Sequence, residues 1–193
     1  GNIVTKVVDD PTLLGFIPED RHKTGLIVDF SIMENLILRT YKNPPNNQWG
    51  TIKWDLVQTS SEKLVKEYDV RTPNVIIPIS MLSGGNQQKV VLARETWAQP
   101  FVIIGSQPTR GLDLGAVDAL HELLLRERNR GAAVMFISTE LSEVVSVSDR
   151  IIVMFNGEIM GELDGESAEL LQIGEMMMGH RLEVNTSNER NTM

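Results

Sequence analysis

Leu82-Ser83-Gly84-Gly85-Asn86-Gln87-Gln88-Lys89, followed by a helical run over residues 90–98, decides how this chain is read. Ser83 is a good helix N-cap, because its hydroxyl can accept from an amide of the first turn. Gly84 and Gly85 carry no side chains, so backbone N–H groups can approach an anion closely. The helix behind them adds the positive end of its dipole. Hydroxyl, bare amides and helix N-terminus together suit a phosphate supplied from outside the element. Ser-Gly-Gly alone also reads as an ordinary capped turn. The eight-residue string is far more specific.

Working outward, the composition sets bounds. The 193 residues suit one domain with a real core. The formal charge of −8 argues against a nucleic-acid or anionic-lipid partner. With no cysteine, a disulfide framework and a thiolate metal site are both ruled out. His22, His121 and His180 lack ligand spacing, and no metal site is expected. No apolar run approaches the roughly 18 residues of a membrane span, and no signal-peptide pattern opens the sequence. A soluble cytoplasmic protein is the default expectation.

Along the chain, residues 9–12 read as a polar turn and 14–18 as a buried strand. Residues 31–38 read as a helix capped by Ser31, with Glu34 completing a capping box. Residues 43–47 form a Pro- and Asn-rich loop. Residues 52–68 read as a helix through the pairs Ile52/Leu56 and Leu64/Tyr68, with a weak centre at Thr59-Ser60-Ser61. Strands are expected at 101–105 and 132–138, and helices at 116–130 and 140–147. Val117, Leu120 and Leu124 share one face of the first of these helices. Asn156-Gly157 joins strands 151–155 and 158–163 in a hairpin. A last helix covers 166–178, with Met176-Met177-Met178 as core filling. The polar tail 183–193 is expected to be disordered. The alternation of strand and helix implies an α/β fold, with a mostly parallel sheet covered by helices on both faces.

The string 82–89 resembles the signature motif of ABC transporter ATPases, in the form typical of importers for simple sugars and nucleosides. Two flanking stretches agree. Phe16-Ile17-Pro18-Glu19-Asp20-Arg21-His22-Lys23-Thr24-Gly25-Leu26 is similar to the Q-loop region of the second ATPase half, with Glu19 at the position usually held by glutamine. Phe101 through Asp113 is similar to a Walker B strand running into a D-loop, with Asp113 as the D-loop aspartate. Asp113 also reads as the N-cap of the helix that follows. The resemblance covers roughly residues 15–182 and implies a partial P-loop NTPase fold over 1–182. A helical signature subdomain would occupy about 31–98. No G-x-x-x-x-G-K-[ST] is present, and the resemblance places that loop ahead of residue 1.

The departures from the family pattern bear on function. Ser106 stands where an aspartate would hold Mg²⁺. Gln107 stands where a glutamate would polarise the attacking water; glutamine can orient water but is a very poor base. Thr139 stands at the switch position, where a histidine would contact the γ-phosphate; it also reads simply as a polar residue ending a strand. Each loss is worth about 10²-fold or more, so no catalytic residue is expected at this half's own site.

The resemblance then implies an asymmetric pair. Ser83, Gly84, Gly85 and Asn86 would bind ATP in trans, on the first nucleotide-binding domain of the same polypeptide. ATP and Mg²⁺ would be the cofactors of the intact transporter, with neither held tightly by this chain alone. Transmembrane permease subunits would be direct partners and an extracytoplasmic substrate-binding protein an indirect one. The chain would be peripheral at the cytoplasmic face of the membrane. The motifs look most like the nucleoside-import branch, with sugar import the alternative. A rival reading is an interaction module derived from an ABC ATPase that uses no nucleotide.

Overall fold

A capping box begins the first helix. Ser31 Oγ accepts from Glu34 N, and the Glu34 carboxylate accepts from Ser31 N at 2.7 Å. The computed structural model describes residues 13–181. They fall into two compact units, which meet in sequence between Ile137 and Ser138. The first unit runs β1 (Leu14–Ile17), α1 (Ile32–Ile37), β2 (Asn47–Gln48), β3 (Thr51–Ile52), α2 (Trp54–Glu67), α3 (Gly84–Trp97), β4 (Val102–Ser106), α4 (Leu114–Arg130) and β5 (Ala133–Ile137). The second unit holds α5 (Leu141–Val147), β6 (Arg150–Phe155), β7 (Glu158–Asp164) and α6 (Leu170–Met177). The turn expected at 9–12 and the tail at 183–193 lie outside the described residues.

In the first unit β4 lies between β1 and β5, and both pairings are parallel. The register sets Phe16 beside Ile104 and Ile104 beside Met135 on one face. Ile17, Ile103 and Gly105 point to the other, where they meet α3 and α4 within one core containing Val90–Ala93, Leu120 and Leu124. Among the described residues of this unit, helices flank one face of the sheet only, where cover on both faces is expected. Phe16 is 47% exposed and Met135 56%. The reason is topological: successive right-handed crossovers that step the same way across a sheet place their helices on the same side.

α3 is buried almost all round, including Arg94, Glu95 and Thr96. Its buried carboxylate is well matched. Glu95 pairs with Arg94 at 2.8 Å and with Arg39 of the segment after α1, and it accepts from Phe16 N at 3.0 Å. One side chain thus joins α3, β1 and the α1 region. Removing a partner from such a buried pair typically costs about 3–5 kcal/mol.

Two helix boundaries differ from expectation. Ile52 is not helical: it pairs with Asn47 across the β2–β3 hairpin, whose turn residues Trp49 and Gly50 both have positive φ. α2 begins only at Trp54. Its hydroxyl-rich centre stays helical, with the Thr59 and Ser60 hydroxyls satisfied by donating back to the carbonyls of Asp55 and Leu56.

In the second unit, Asn156 (φ +47°) and Gly157 (φ +82°) turn the antiparallel β6–β7 hairpin, as a two-residue loop with both φ positive should. Residues 166–169 are not helical. The Asp164 carboxylate accepts from Glu166 N and its carbonyl from Ser167 N, a turn that delays α6 to Leu170. Met176 joins Ile151, Val153, Met160 and Ile173 in this unit's core. Met178, by contrast, is 66% exposed, so the methionine triplet is only partly core.

Candidate functional site

Ser83 is exposed and caps α3. Its Oγ accepts from Asn86 N at 3.5 Å and from Asn86 Nδ2 at 3.0 Å. The next two residues are packed closely, Gly85 against a fixed Cβ and Gly84 against the mobile end of an arginine. A Cβ on Gly84 would lie 2.6 Å from Arg21 Nη2, and one on Gly85 would lie 2.9 Å from the Ala116 Cβ. The glycines therefore admit Arg21 and the first turn of α4, besides baring their amides.

The remaining residues of the string tie down the segments around them. Asn86 Oδ1 accepts from Arg71 N at 2.8 Å. Gln87 Nε2 donates to the carbonyls of Ile79 and Leu82, and its Oε1 meets His22 Nε2 at 2.7 Å. Gln88 Nε2 donates to the Pro108 carbonyl at 2.8 Å. Lys89 pairs with Asp69 at 2.9 Å, and its hydrogen bond holds the Asp69 carboxyl below its ordinary range. The first turn of α3 thus ties four loops together.

Glu19 lies beside this turn. Asp20 folds the chain behind it into a single wide turn (Arg21–Gly25) by accepting from His22 N and Lys23 N. The Glu19 carboxylate is ion-paired with Arg110, and Arg21 Nη1 donates to the Arg110 carbonyl at 3.3 Å. Asp113 caps α4, accepting from Ala116 N at 3.0 Å. Glu19, Ser83, Gly84, Gly85, Asn86 and Asp113 are therefore drawn together around the N-termini of α3 and α4.

Ser106 ends β4 on the sheet's exposed face, half-buried, in register with Ile137. Gln107 follows in the left-handed region at φ +47°, where a non-glycine residue is strained; its N–H donates to the Ile137 carbonyl at 2.7 Å. Neither residue offers a carboxylate, so this pair does not make the hard anionic donor set that Mg²⁺ prefers. Thr139 belongs to the second unit. It is exposed, in a bend set by Ser138 Oγ, which accepts from Glu140 N and donates to Glu143. Among the described residues no cluster of histidine and carboxylate side chains could hold a metal ion. No helix there is long and apolar enough to cross a membrane.

Arg21, His22, Arg110 and Gln87 complete the arrangement, yet sequence reasoning assigned them no role. The only available signal was charge: two arginines in the loops that carry Glu19 and Asp113.

No family model matches the chain. It is 42% identical over 166 residues to the nucleoside import ATP-binding protein NupA of Lactococcus lactis subsp. cremoris, covering 86% of this chain and 33% of that protein. Against the guanosine import ATP-binding protein NupO of Bacillus subtilis the identity is 41% over 166 residues, covering 86% and 32%. Against the ribose import ATP-binding protein RbsA of Oceanobacillus iheyensis it is 42% over 155 residues, covering 80% and 31%. The chain spans about a third of the length of these relatives. In structure it is similar to the ATP-binding cassette MJ0796, a dimer solved in a post-hydrolysis state bound to ADP and Pi. There the TM-score is 0.66 at 23% identity, over 80% of this chain and 64% of that one. That likeness shows the fold: an α/β ATP-binding cassette with a parallel sheet and flanking helices. Taken with the similarity in sequence to ATP-binding proteins of nucleoside, guanosine and ribose import, it means that the chain belongs to the ABC transporter ATPase family.

Proposed function

We propose that this chain is the C-terminal part of the second nucleotide-binding domain of an ABC importer for nucleosides or simple sugars. Its intact signature completes the ATP site of the partner domain, while its own site does not hydrolyse. The observation that carries this reading is a contrast. Ser83 is exposed at a well-capped helix N-terminus, whereas Ser106 and Gln107 offer no carboxylate. On this reading residues 1–182 form the partial domain, with about 31–98 as the signature subdomain, and 183–193 lie beyond it.

Bound between the domains, ATP supplies the phosphoanhydride whose cleavage drives transport. The Ser83 hydroxyl would donate to the γ-phosphate of an ATP held by the partner. The amides of Gly84 and Gly85 lack intrahelical acceptors and would add donors there, joined by the Asn86 N–H once it leaves its long contact with Ser83 Oγ. Asp113 would act across the same interface. Glutamine at 107 would orient water without taking its proton, and Thr139 would bring no cation to the γ-phosphate. Mg²⁺ would accompany nucleotide in the intact transporter; Ser106 and Gln107 do not fit it. The proposed partners are the first nucleotide-binding domain of the same polypeptide, permease subunits at the cytoplasmic face of the membrane and, indirectly, an extracytoplasmic substrate-binding protein. This chain alone would hold ATP no more tightly than about millimolar.

The test is Ser83→Arg in the complete transporter. Ser83 is exposed, so the change costs the fold only about 1 kcal/mol, the worth of one helix cap, while a bulky cation obstructs closure on the partner's nucleotide. ATP-driven uptake and ATPase activity should both be lost. Unchanged ATPase activity in reconstituted vesicles would refute the trans role.

A further inference from the structure

We propose that Glu19, Arg21 and Arg110 form a clasp. It holds the segment at 19–25, the turn at 83–86 and the loop at 107–113 in one fixed relation, with Arg21 as a positioning residue for the turn that faces nucleotide. That last role rests on the function proposed above; the clasp itself does not.

The contacts are reciprocal. Arg110 gives its guanidinium to the Glu19 carboxylate, and its own carbonyl accepts from Arg21 Nη1 at 3.3 Å. Arg21 also lies against Gly84, where an added Cβ would come within 2.6 Å of its Nη2 and displace the guanidinium. Its Nε is buried without an acceptor, an unfavourable state for a guanidinium, so the side chain is held by position rather than by full hydrogen bonding. His22 adds a third tie. Gln87 Nε2 donates to two carbonyls, which leaves Oε1 as acceptor, so the proton in the 2.7 Å contact sits on His22 Nε2.

Two consequences follow. Glu19 is paired with a cation of its own chain, so it links segment 19–25 to the loop at 107–113. In addition, a displacement of segment 19–25 is passed directly to the signature turn and to the loop that ends at Asp113. The Arg110 and Glu19 side chains are 70% and 45% exposed. Such a pair adds little to stability, roughly 0–1 kcal/mol, so its value is in register.

Hydrogen exchange of the full chain, followed by mass spectrometry, tests the clasp. The variants are Arg21→Ala, Glu19→Arg, Arg110→Glu and the double reversal Glu19→Arg/Arg110→Glu. Arg21→Ala and each single reversal should speed exchange of amides in 83–88 and 109–113 by about three-fold or more, with Leu92, Ala93 and Ile103 unchanged. The double reversal should restore slow exchange. Single reversals that leave these loops unchanged, or a double reversal that fails to restore them, overturn the clasp. In the complete transporter, Arg21→Ala should raise the KM for ATP more than it lowers kcat, with partial rescue by Arg21→Lys. A clasp seen by exchange together with unaltered ATPase kinetics would leave the clasp standing and instead remove the nucleotide-facing role of the turn.

Discussion

Tyr68 is the clearest single residue whose surroundings set its chemistry. Its ring is buried under the Arg126 guanidinium, 4.8 Å from the ring centre, and its hydroxyl meets Thr96 Oγ1 at 2.6 Å. Burial pushes the phenol up from its ordinary value of 10.0; the Thr96 hydrogen bond and Arg126 oppose the shift without cancelling it. A group whose folded-state value is raised contributes stability that is fully present below the unfolded value and is lost as pH rises through the folded one. The thermal midpoint should therefore fall as pH climbs above about 10. Tyr68→Phe should be less stable at neutral pH by about 1 kcal/mol, the net worth of one hydrogen bond, and its alkaline fall should be shallower. Melting curves across that pH range decide it; equal alkaline slopes would contradict it. The sequence marks Tyr68 as an apolar-face residue, but Thr96 and Arg126 as its partners come only from the packing of three helices.

At the scale of elements, local chemistry was well legible where a motif satisfies its own backbone. The Ser31–Glu34 capping box and the Asn156-Gly157 turn both occur as read. So does the Asp113 cap on α4, whose other end closes at Gly131 with φ +104°. Asp113→Ala should cost about 1 kcal/mol through the lost acceptor for Ala116 N, and Asp113→Asn much less, since asparagine caps comparably. Chemical denaturation of the two variants checks this. Equal losses would mean that the carboxylate charge, rather than the cap, holds the helix start. Legibility failed where competing pairings decide a boundary. Ile52 has helical spacing to Leu56, yet the β2–β3 hairpin takes it. Residues 166–169 favour helix by composition, yet the turn after Asp164 keeps them out.

For the whole molecule, the face of the three-stranded sheet opposite the first unit's helices has a physical consequence. Phe16, Met135 and Ile137 present apolar surface in register on one side, with β5 at the edge of the sheet. Exposed apolar strands at an edge favour association. Light scattering should show this chain self-associating, and Phe16→Glu/Met135→Lys should reduce that with little change in thermal midpoint. Undiminished scattering would assign the association to another surface. The family, the helix caps, the hairpin turn and the absence of carboxylates at 106 and 107 were determined by the sequence alone, because each depends on residue type within a few positions. Only the tertiary structure decided that the described helices of the first unit flank one sheet face only, that Glu95 joins three elements, and that Glu19 and Arg21 reach Arg110 across the fold. Those are pairings between distant segments, set by crossover direction and by which side chains the packed helices bring within reach, and no local pattern encodes them.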